Sequence, residues 1–288
     1  MLHSAHSTFQ HNHISNTYNT QQSRNMKCLL FGASRGCGLE AAFELLSSGH
    51  DVTLFLRNVN VIESHPRVQS LPVDQHSRLH TVKGDAFVKE DVERAFDSIG
   101  SDLGTVLFSI GGRPSFKNPL ALKLEPPEVC ERGIGVMLPV LKAYGEKHGV
   151  EPRLIVVSSS GLGTVGHAEL PLIMKPMYSW LLKEPHADKE KLEAHIYHSA
   201  GLRHPDATID QSTQTSLHTR SLPENGWLKE FVIVRPAFLT DGPCTGTYRA
   251  DEHLKTYTIS RADIGHFIGN ECVGEVCKWV NKAVTVGY

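Results

Sequence analysis

The chain has 288 residues, of which 40% are hydrophobic and 21% are charged, and its formal net charge is −2. This composition allows one substantial core, and a nearly neutral chain lacks the basic surface that binding to nucleic acid needs. The six cysteines form no C-x-x-C pair and no paired metal-ligand spacing, which favours reduced thiols and no metal site. No apolar stretch approaches the roughly 20 residues of a membrane helix. We therefore expect a cytoplasmic protein with no nucleic-acid or membrane partner, and we favour a monomer slightly over an oligomer.

The first segment, residues 1–25, is dominated by Ser, Thr, Asn, Gln and His and contains no acidic residue. Such a segment cannot bury enough apolar surface to fold, so it predicts a disordered N-terminal tail. A second polar stretch, residues 199–226, is rich in turn-forming residues and has no sustained apolar period. It predicts a surface insertion rather than a separate domain.

Between and after these segments, residues 26–288 alternate short apolar runs with longer helical stretches. The apolar runs predict strands within 27–33, 51–57, 78–84, 105–112, 153–160, 231–237 and 283–288. The helical stretches lie near 38–48, 89–99, 126–148 and 186–198. Apolar strands separated by helices predict an α/β fold, a single doubly wound Rossmann-type parallel sheet with helices on both faces.

The motif "GASRGCG", residues 32–38, follows the first strand and opens the first helix. Glycines at 32, 36 and 38 allow a sharp turn that brings backbone N–H groups and a helix N-terminus against a pyrophosphate. A glycine pattern alone is weak evidence, and a tight turn without a ligand is the alternative. Its place at a strand-to-helix transition in an alternating chain predicts a dinucleotide site.

The end of the second strand, "TLFLRN", indicates which dinucleotide binds. An NAD site normally offers a carboxylate about 20 residues beyond the glycines, to the ribose 2′-hydroxyl. Here Arg57 occupies that neighbourhood, no acid occurs before Glu63, and Arg35 lies in the glycine motif. Guanidinium groups bind a phosphate with paired donors, so the residues favour NADP(H) over NAD(H).

Several further motifs give the chain a family resemblance. They are "GASRGCG", "LFLRN", "KGDAFVKEDVERAF", "FSIGGRPSF", "IVVSSSG", "VIVRPAFLTDGPCTGTYR" and "ISRADIGHFI". With them the chain resembles the atypical short-chain dehydrogenase/reductase group, in particular its NADPH-dependent biliverdin reductase B (flavin reductase) type, and it is also similar to NmrA-like proteins. The last two motifs are the most specific.

The resemblance implies roles for individual residues. Its cofactor-binding residues would be Gly32, Ser34, Arg35, Gly36, Cys37, Gly38, Arg57, Asp85, Ala86, Gly111, Gly112, Arg113 and Pro236. Ser159 and Ser160, at the end of the fifth strand, would lie near the nicotinamide as catalytic residues. Phe238 and Tyr178 would line the substrate pocket.

The chain also departs from the wider family. Short-chain dehydrogenases carry a Tyr-x-x-x-Lys pair, whereas Tyr178 and Lys183 are separated by four residues and Tyr197 has no lysine four residues on. A tyrosine acid is therefore not expected, and the proton would come from solvent or from one of the two serines. Phe238 stands where biliverdin reductase B has a histidine, which favours a more apolar pocket.

Four charged or titratable residues in the stretch 186–193 are expected to lie on the protein surface. His186 with Glu190, and Lys189 with Glu193, have the i, i+4 spacing of surface pairs on a helix.

The leading functional hypothesis is an NADPH-dependent oxidoreductase that transfers a hydride to a small apolar or conjugated carbonyl, quinone or flavin-like substrate. The missing Tyr-x-x-x-Lys pair and the polar stretch at 199–226 also fit a second hypothesis, an NmrA-like regulator that senses NADP(H) without catalysis. A third is a cofactor-retaining epimerase or lyase of the same fold.

Overall fold

A central eight-stranded sheet organises the protein, for which a computed structural model describes residues 25–115, 123–176, 182–209 and 225–288. The strands occur in the spatial order β10-β12-β8-β7-β4-β1-β2-β3. Their bounds are β1 Lys27–Phe31, β2 Asp51–Leu56, β3 Leu79–Lys83, β4 Leu103–Phe108, β7 Arg153–Val157, β8 Phe231–Pro236, β10 Arg249–Asp251 and β12 Lys282–Gly287. Seven strands are parallel, and β10 pairs antiparallel with β12 at one edge.

Two small two-stranded sheets accompany the central one. The first pairs β5 (Arg113–Ser115) with β6 (Lys123–Glu125) in antiparallel fashion. The second pairs β9 (Phe238–Thr240) with β11 (Thr258–Ser260) in parallel, so that Thr240 lies opposite Ser260. The second pair therefore brings the residues that follow Thr240 close to those that follow Ser260.

Helices cover both faces of the central sheet. The helices are α1 Gly36–Ser47, α2 Asn60–Glu63, α3 Pro66–Gln69, α4 Val73–His76, α5 Lys89–Asp97, α6 Val129–His148, α7 Gly163–Glu169, α8 Lys183–Ser199 and α9 Arg261–Phe267, which continues into a π-helical turn, Ile268–Cys272. None of these described helices combines the length and the apolar character needed to cross a bilayer.

The alternation of side chains along β1 explains the two layers. Cys28 and Leu30 pack into a core shared with α1 and α9, whereas Leu29 and Phe31 pack into a core shared with α5, α6 and α8. Because successive side chains of a strand point to opposite faces, a continuously apolar strand contributes side chains to the cores on both faces of the sheet. The predicted doubly wound Rossmann-type sheet is thus confirmed.

The contact between α1 and α9 is unusually close and depends on a glycine. A Cβ placed on Gly265 would lie 2.5 Å from the Cβ of Glu40 and 2.6 Å from its carbonyl carbon. Because only a hydrogen fits at this point, α9 packs directly against the backbone of α1. The start of α9 is therefore held at a fixed position relative to the glycine motif that begins α1.

Each of the seven predicted apolar runs overlaps a strand of the central sheet, but two segments differ from expectation. The helix expected over 126–148 begins only at Val129. The stretch 199–226, predicted to lie on the surface, is described over 199–209 and 225–226, and within it His204, Asp206 and Ile209 are buried. These three side chains therefore pack against the domain, whereas the described residues 201–203, 205, 207–208 and 225–226 are exposed. Residues 1–24 lie outside the described residues.

Candidate functional site

A cleft of about 810 Å³ lies at the carboxyl ends of β1, β2 and β4. The chain leaves β1 toward β2 on one side and toward β4 on the other, and open parallel sheets bind ligands where the strand order reverses in this way. The residues lining the cleft come from the glycine motif, from the ends of β2 and β7 and the segments after β2, β3, β4 and β7, from the start of α6, and from α8, β9 and α9. They are Gly32, Ser34, Arg35, Gly36, Cys37, Phe55, Leu56, Arg57, Asn58, Val61, Gly84, Asp85, Ala86, Phe87, Ser109, Ile110, Gly111, Gly112, Pro126, Val129, Val157, Ser158, Lys189, Leu239 and Arg261.

The glycine motif has the geometry of a phosphate cradle. Gly32 has φ +78°, and a Cβ there would lie 2.6 Å from the backbone nitrogen of Ile110, so the loop passes directly against the end of β4. Gly36 has φ +63° and begins α1, whose N-cap residue, Arg35, makes no side-chain capping hydrogen bond. The N–H groups of the first turn are therefore left for a ligand.

Gly38 and Cys37 support this cradle from below. A Cβ on Gly38 would lie 3.0 Å from the Cα of Ala33 and 3.1 Å from the Cβ of Ser109, so a larger residue would fit only if these neighbours moved, although Gly38 does not line the cleft. Cys37 is 6% exposed, and burial raises the pKa of its thiol to about 12. The thiol is therefore protonated and behaves as a packing group.

Three guanidinium groups face the cleft. Arg35 and Arg57 are exposed, and neither forms an ion pair with a carboxylate in the part of the chain that the structure describes. Arg261, the first residue of α9, is paired with the exposed Asp241. The cleft therefore offers a positive charge distribution that fits a ligand with several phosphates.

One carboxylate, Asp85, lies among the described cleft residues, and it also makes hydrogen bonds that hold its own loop in place. Its Oδ1 accepts a hydrogen bond from the backbone N–H of Phe87 (3.0 Å), and its own N–H donates to Asp91 Oδ2 (2.8 Å). These bonds fix the loop after β3, where Ala86 also faces the cleft. The glycine cradle, the guanidiniums and this loop together fit a phosphorylated dinucleotide.

Lys189 brings an ammonium group to the opposite side of the cleft. Its Nζ donates to the carbonyl oxygens of Val157 (2.7 Å), the last residue of β7, and Ile110 (3.2 Å), which follows β4. An ammonium group has three donors, and these two carbonyls hold it in a fixed position at the ends of the two strands. The prediction of a surface pair between Lys189 and Glu193 is wrong, because each residue bonds to other partners.

Glu193 is fully buried at the centre of a polar network on α8. It accepts hydrogen bonds from Ser158 Oγ (2.6 Å) and Arg235 Nε (3.0 Å), and its Oε2 lies 3.0 Å from His204 Nε2. Burial alone would raise the pKa of Glu193, but the Arg235 guanidinium and the hydrogen bonds lower it to about 2. The carboxylate is therefore ionised and neutralised internally.

The same network explains why His204 and Asp206 are buried. His204 Nδ1 accepts a hydrogen bond from the N–H of Asp206 (3.0 Å), which leaves Nε2–H to donate to Glu193. The carboxylate of Asp206 in turn accepts from the N–H of Val165 (2.7 Å) and from Thr164 Oγ1 (3.1 Å), in the first turn of α7. These polar residues connect α7 to α8 through hydrogen bonds.

His186 and Glu190 lie on the same face of α8 as Lys189 and Glu193. His186 Nε2 is 3.4 Å from Ser159 Oγ, and Glu190 accepts from the N–H of Gly163 (2.9 Å). Burial lowers the pKa of His186 to about 4, so its imidazole is neutral near pH 7. The prediction of a surface pair between His186 and Glu190 is wrong as well.

The structure brings ten of the predicted cofactor residues to the cleft. Those that line it are Gly32, Ser34, Arg35, Gly36, Cys37, Arg57, Asp85, Ala86, Gly111 and Gly112. Pro236 is buried within β8 and Phe238 is 43% exposed, and neither lines the cleft. Tyr178 and the side chain of Arg113 lie outside the described residues.

The two serines predicted as catalytic do not line the cleft, whereas Ser158 does. Ser159 is half-buried beside His186, and Ser160 is buried next to a separate small cavity that Arg235 also lines. The strand ends at Val157, before the two serines at which the prediction placed its end, and Ser158 is the serine that lines the cleft.

Lys189, Arg261 and Ser158 were missed by reasoning from the sequence. A search for Tyr-x-x-x-Lys passes over Lys189 because Pro185 stands four residues before it. One indication was available: the polar residues at 186, 189, 190 and 193 have the i, i+3, i+4, i+7 spacing of a single helical face. Such a face buried against the carboxyl end of a strand indicates a site rather than a solvated surface.

Comparison with known proteins agrees with this geometry. A family model described as NAD(P)H-binding matches residues 32–219. A reductase named pytE from Aspergillus terreus is 31% identical over 202 residues, which cover 65% of this chain and 68% of the reductase. An oxidase named pynE from Aspergillus niger is 25% identical over 286 residues, covering 88% of this chain and 96% of the oxidase.

Among solved structures, the fold is similar to that of ChuY, an anaerobillin reductase from Escherichia coli O157:H7. The TM-score is 0.54 at 18% sequence identity, with 91% of this chain and 97% of that chain covered. At this identity the similarity concerns the fold.

Proposed function

The chain belongs to the NAD(P)H-binding family, and we propose that it is an NADPH-dependent reductase acting on a small apolar or conjugated carbonyl, quinone or flavin-like substrate. The observation that carries the proposal is the end of β2, where Arg57 and Asn58 face the cleft at the place where an NAD site normally has a carboxylate. A guanidinium there favours the 2′-phosphate that distinguishes NADPH from NADH.

The residues that would hold the cofactor divide between its two halves. The glycine cradle and the arginines would bind the phosphates, and the loop of Asp85 and Ala86 would lie against the adenosine. Lys189, fixed between two carbonyl oxygens, would bind sugar hydroxyls of the nicotinamide half. When bound, the reduced nicotinamide supplies the hydride.

Reduction of a carbonyl also needs a proton on oxygen. Neither of the two serines predicted as catalytic lines the cleft; of the two we propose Ser159, because it directly follows the cleft residue Ser158 and its half-buried hydroxyl lies 3.4 Å from the neutral imidazole of His186. The imidazole can accept or donate a hydrogen bond and so set the direction of the serine proton. Ser160 is buried beside a different cavity and is assigned no chemical role.

The first experiment compares the affinities of NADPH and NADH by fluorescence titration. We expect NADPH to bind at least about tenfold more tightly, a difference of about 1.4 kcal/mol, and Arg57→Glu to remove most of that preference. Arg203→Glu is the matched control, since Arg203 is exposed and does not line the cleft. Equal affinities for the two cofactors in the unaltered protein would overturn the NADPH assignment.

The second experiment tests for reduction itself. Purified protein is incubated with NADPH and a panel of aldehydes, quinones and flavins while the absorbance of the reduced nicotinamide is followed. We expect a stoichiometric loss of that absorbance with one substrate class. We also expect Ser159→Ala to decrease turnover by roughly 10² while leaving the affinity for NADPH unchanged. Turnover that survives Ser159→Ala would assign the proton to solvent.

A second candidate is a regulator that binds NADP(H) without turnover. It is favoured by one observation: among the described cleft residues there is no tyrosine or histidine to act as an acid. Tight NADPH binding without oxidation across the whole panel would support this candidate against the reductase.

A further inference from the structure

Arg261 lies over the point where the glycine motif becomes α1. Its Cδ is 3.7 Å and its Nε 3.9 Å from the position that a Cβ on Gly36 would occupy, and its side chain lines the cleft. It comes from the distant "ISRADIGHFI" motif, 225 residues after Gly36 along the chain. A cation thus faces the first turn of α1, whose N–H groups have no side-chain cap.

The position of Arg261 is fixed from three directions. Ser260 caps α9 by accepting a hydrogen bond from the N–H of Asp263 (2.9 Å), which anchors the start of the helix. Asp263 also accepts from the N–H groups of Thr245 (2.9 Å) and Gly246 (2.8 Å), so the loop after Asp241 is bound to the same helix. The close contact of Gly265 with α1 fixes the distance between the two helices.

The ionic partner of Arg261 is one that a ligand can replace. Arg261 Nη1 is 2.7 Å from Asp241 Oδ1, and the Asp241 side chain is 93% exposed. An ion pair with so exposed a carboxylate contributes little to stability and exchanges readily with water or another anion. The guanidinium has five donors in a planar fork, which leaves paired donors for phosphate oxygens.

We propose that Arg261 is a ligand of the cofactor pyrophosphate. It acts opposite the N–H groups of α1 and separately from Arg57, which faces the 2′-phosphate. The inference rests on the nucleotide site of the proposed function but not on its preference for NADPH or on turnover. Arg261 therefore contributes affinity that both NADPH and NADH share. Each of the two arginines binds a different phosphate group of the cofactor.

The test uses nucleotides that carry one kind of phosphate group each. ADP has a pyrophosphate and no 2′-phosphate, and adenosine 2′-monophosphate has the reverse. By isothermal titration of the full chain, Arg261→Gln should weaken NADPH, NADH and ADP by about tenfold each and leave adenosine 2′-monophosphate within about twofold. Arg57→Gln should weaken NADPH and adenosine 2′-monophosphate and leave NADH and ADP unchanged.

Two controls keep the result interpretable. Arg203→Gln removes an exposed arginine outside the cleft and should change no affinity. Arg261→Lys keeps the charge and loses the planar fork, so it should weaken ADP less than Arg261→Gln does. Unchanged affinity for NADH and ADP in Arg261→Gln, with a folded protein by its melting curve, would overturn the proposal, as would selective loss of adenosine 2′-monophosphate.

The outcome is also separable from that of the proposed function. If NADPH and NADH bind equally and nothing is reduced, the reductase proposal fails, but a tenfold loss of ADP affinity in Arg261→Gln still identifies Arg261 as a pyrophosphate ligand.

Discussion

The two sides of the cleft use their charged side chains in opposite ways. On the glycine-motif side, Arg35 and Arg57 are exposed and have no carboxylate partner within the described residues. On the α8 side, Glu193 and His204 are buried, and Glu193 is neutralised by the guanidinium of Arg235, whose side chain is only 13% exposed. Charges exposed in a cleft can exchange water for a ligand, whereas charges buried together are already satisfied.

This contrast separates affinity from stability. Substitutions on the glycine-motif side should change nucleotide binding with little effect on folding, because the arginines there make few internal bonds. Substitutions on the α8 side should change stability, because each buried group there leaves a partner without its hydrogen bond. The following predictions test that division, from the largest expected effect to the smallest.

The largest effect is expected for Glu193→Ala. The substitution leaves the largely buried Arg235 guanidinium without its counter-charge and should cost about 3–5 kcal/mol of unfolding free energy, measured by urea denaturation. Glu146→Ala is the control, since Glu146 forms an exposed i, i+4 pair with Lys142 and should cost less than about 0.5 kcal/mol. Similar losses in both variants would remove the distinction between the two sides.

His186 should make folding depend on pH. Its pKa is lowered by burial to about 4, so between pH 6.5 and pH 4 the unfolded chain binds a proton that the folded chain does not. The contribution of His186 to the free energy of unfolding is therefore greatest above pH 6.5, and it decreases as the pH falls, by up to about 3 kcal/mol. In urea titrations at about pH 7 and pH 5, His186→Asn should lose less stability on acidification than the unaltered protein. The same slope in both would contradict a buried, neutral His186.

Gly265→Ala tests the contact that links the two sides through α1 and α9. The added methyl group would meet the backbone of Glu40 and Ala41, and we expect a loss of about 1–3 kcal/mol together with weaker nucleotide binding, because α9 carries Arg261. Gly135→Ala, on α6, has no atom within 4 Å of the added methyl group and should stabilise the protein by roughly 0.5–1 kcal/mol. Thermal melts and ADP titrations measure both variants.

The smallest effect is expected for Ser158→Ala, which alters a residue that belongs to both sides. It lines the cleft and also donates to Glu193, which keeps its bond to Arg235 Nε when the hydroxyl is removed. We expect a loss of about 1 kcal/mol in stability and no change in nucleotide affinity. A loss of affinity without a loss of stability would place Ser158 in the binding site.

The glycine-motif side was predictable from the sequence for a physical reason. Its determinants are local: a glycine with positive φ, a helix start and the residue after a strand are all fixed by a few neighbouring residues. The strands were found in the same way, because buried parallel strands are continuously apolar. Arg261 is the exception, since only the packing of Gly265 on α1 brings it to the motif.

The α8 side was not predictable, because its bonds join residues far apart in the chain. Glu193 meets Arg235 and His204 only after β8 and the segment 204–209 have been folded against α8. In the sequence each of these residues resembles a solvated surface charge. Within the stretch 199–226, predicted as a surface insertion, the burial of Asp206 was not predictable for the same reason: its carboxylate accepts a hydrogen bond from the N–H of Val165 in the first turn of α7 instead of facing water.

The order of strands also has a consequence for synthesis of the chain on the ribosome. β12 lies between β8 and β10, although both precede it in the sequence. Until residues 282–287 emerge, β8 has an unpaired edge with four fully buried apolar residues in sequence, Phe231–Val234, and β10 has no strand to pair with. An apolar unpaired edge is a template for association between chains. A nascent chain arrested before β12 should therefore need chaperone protection that the completed sheet does not.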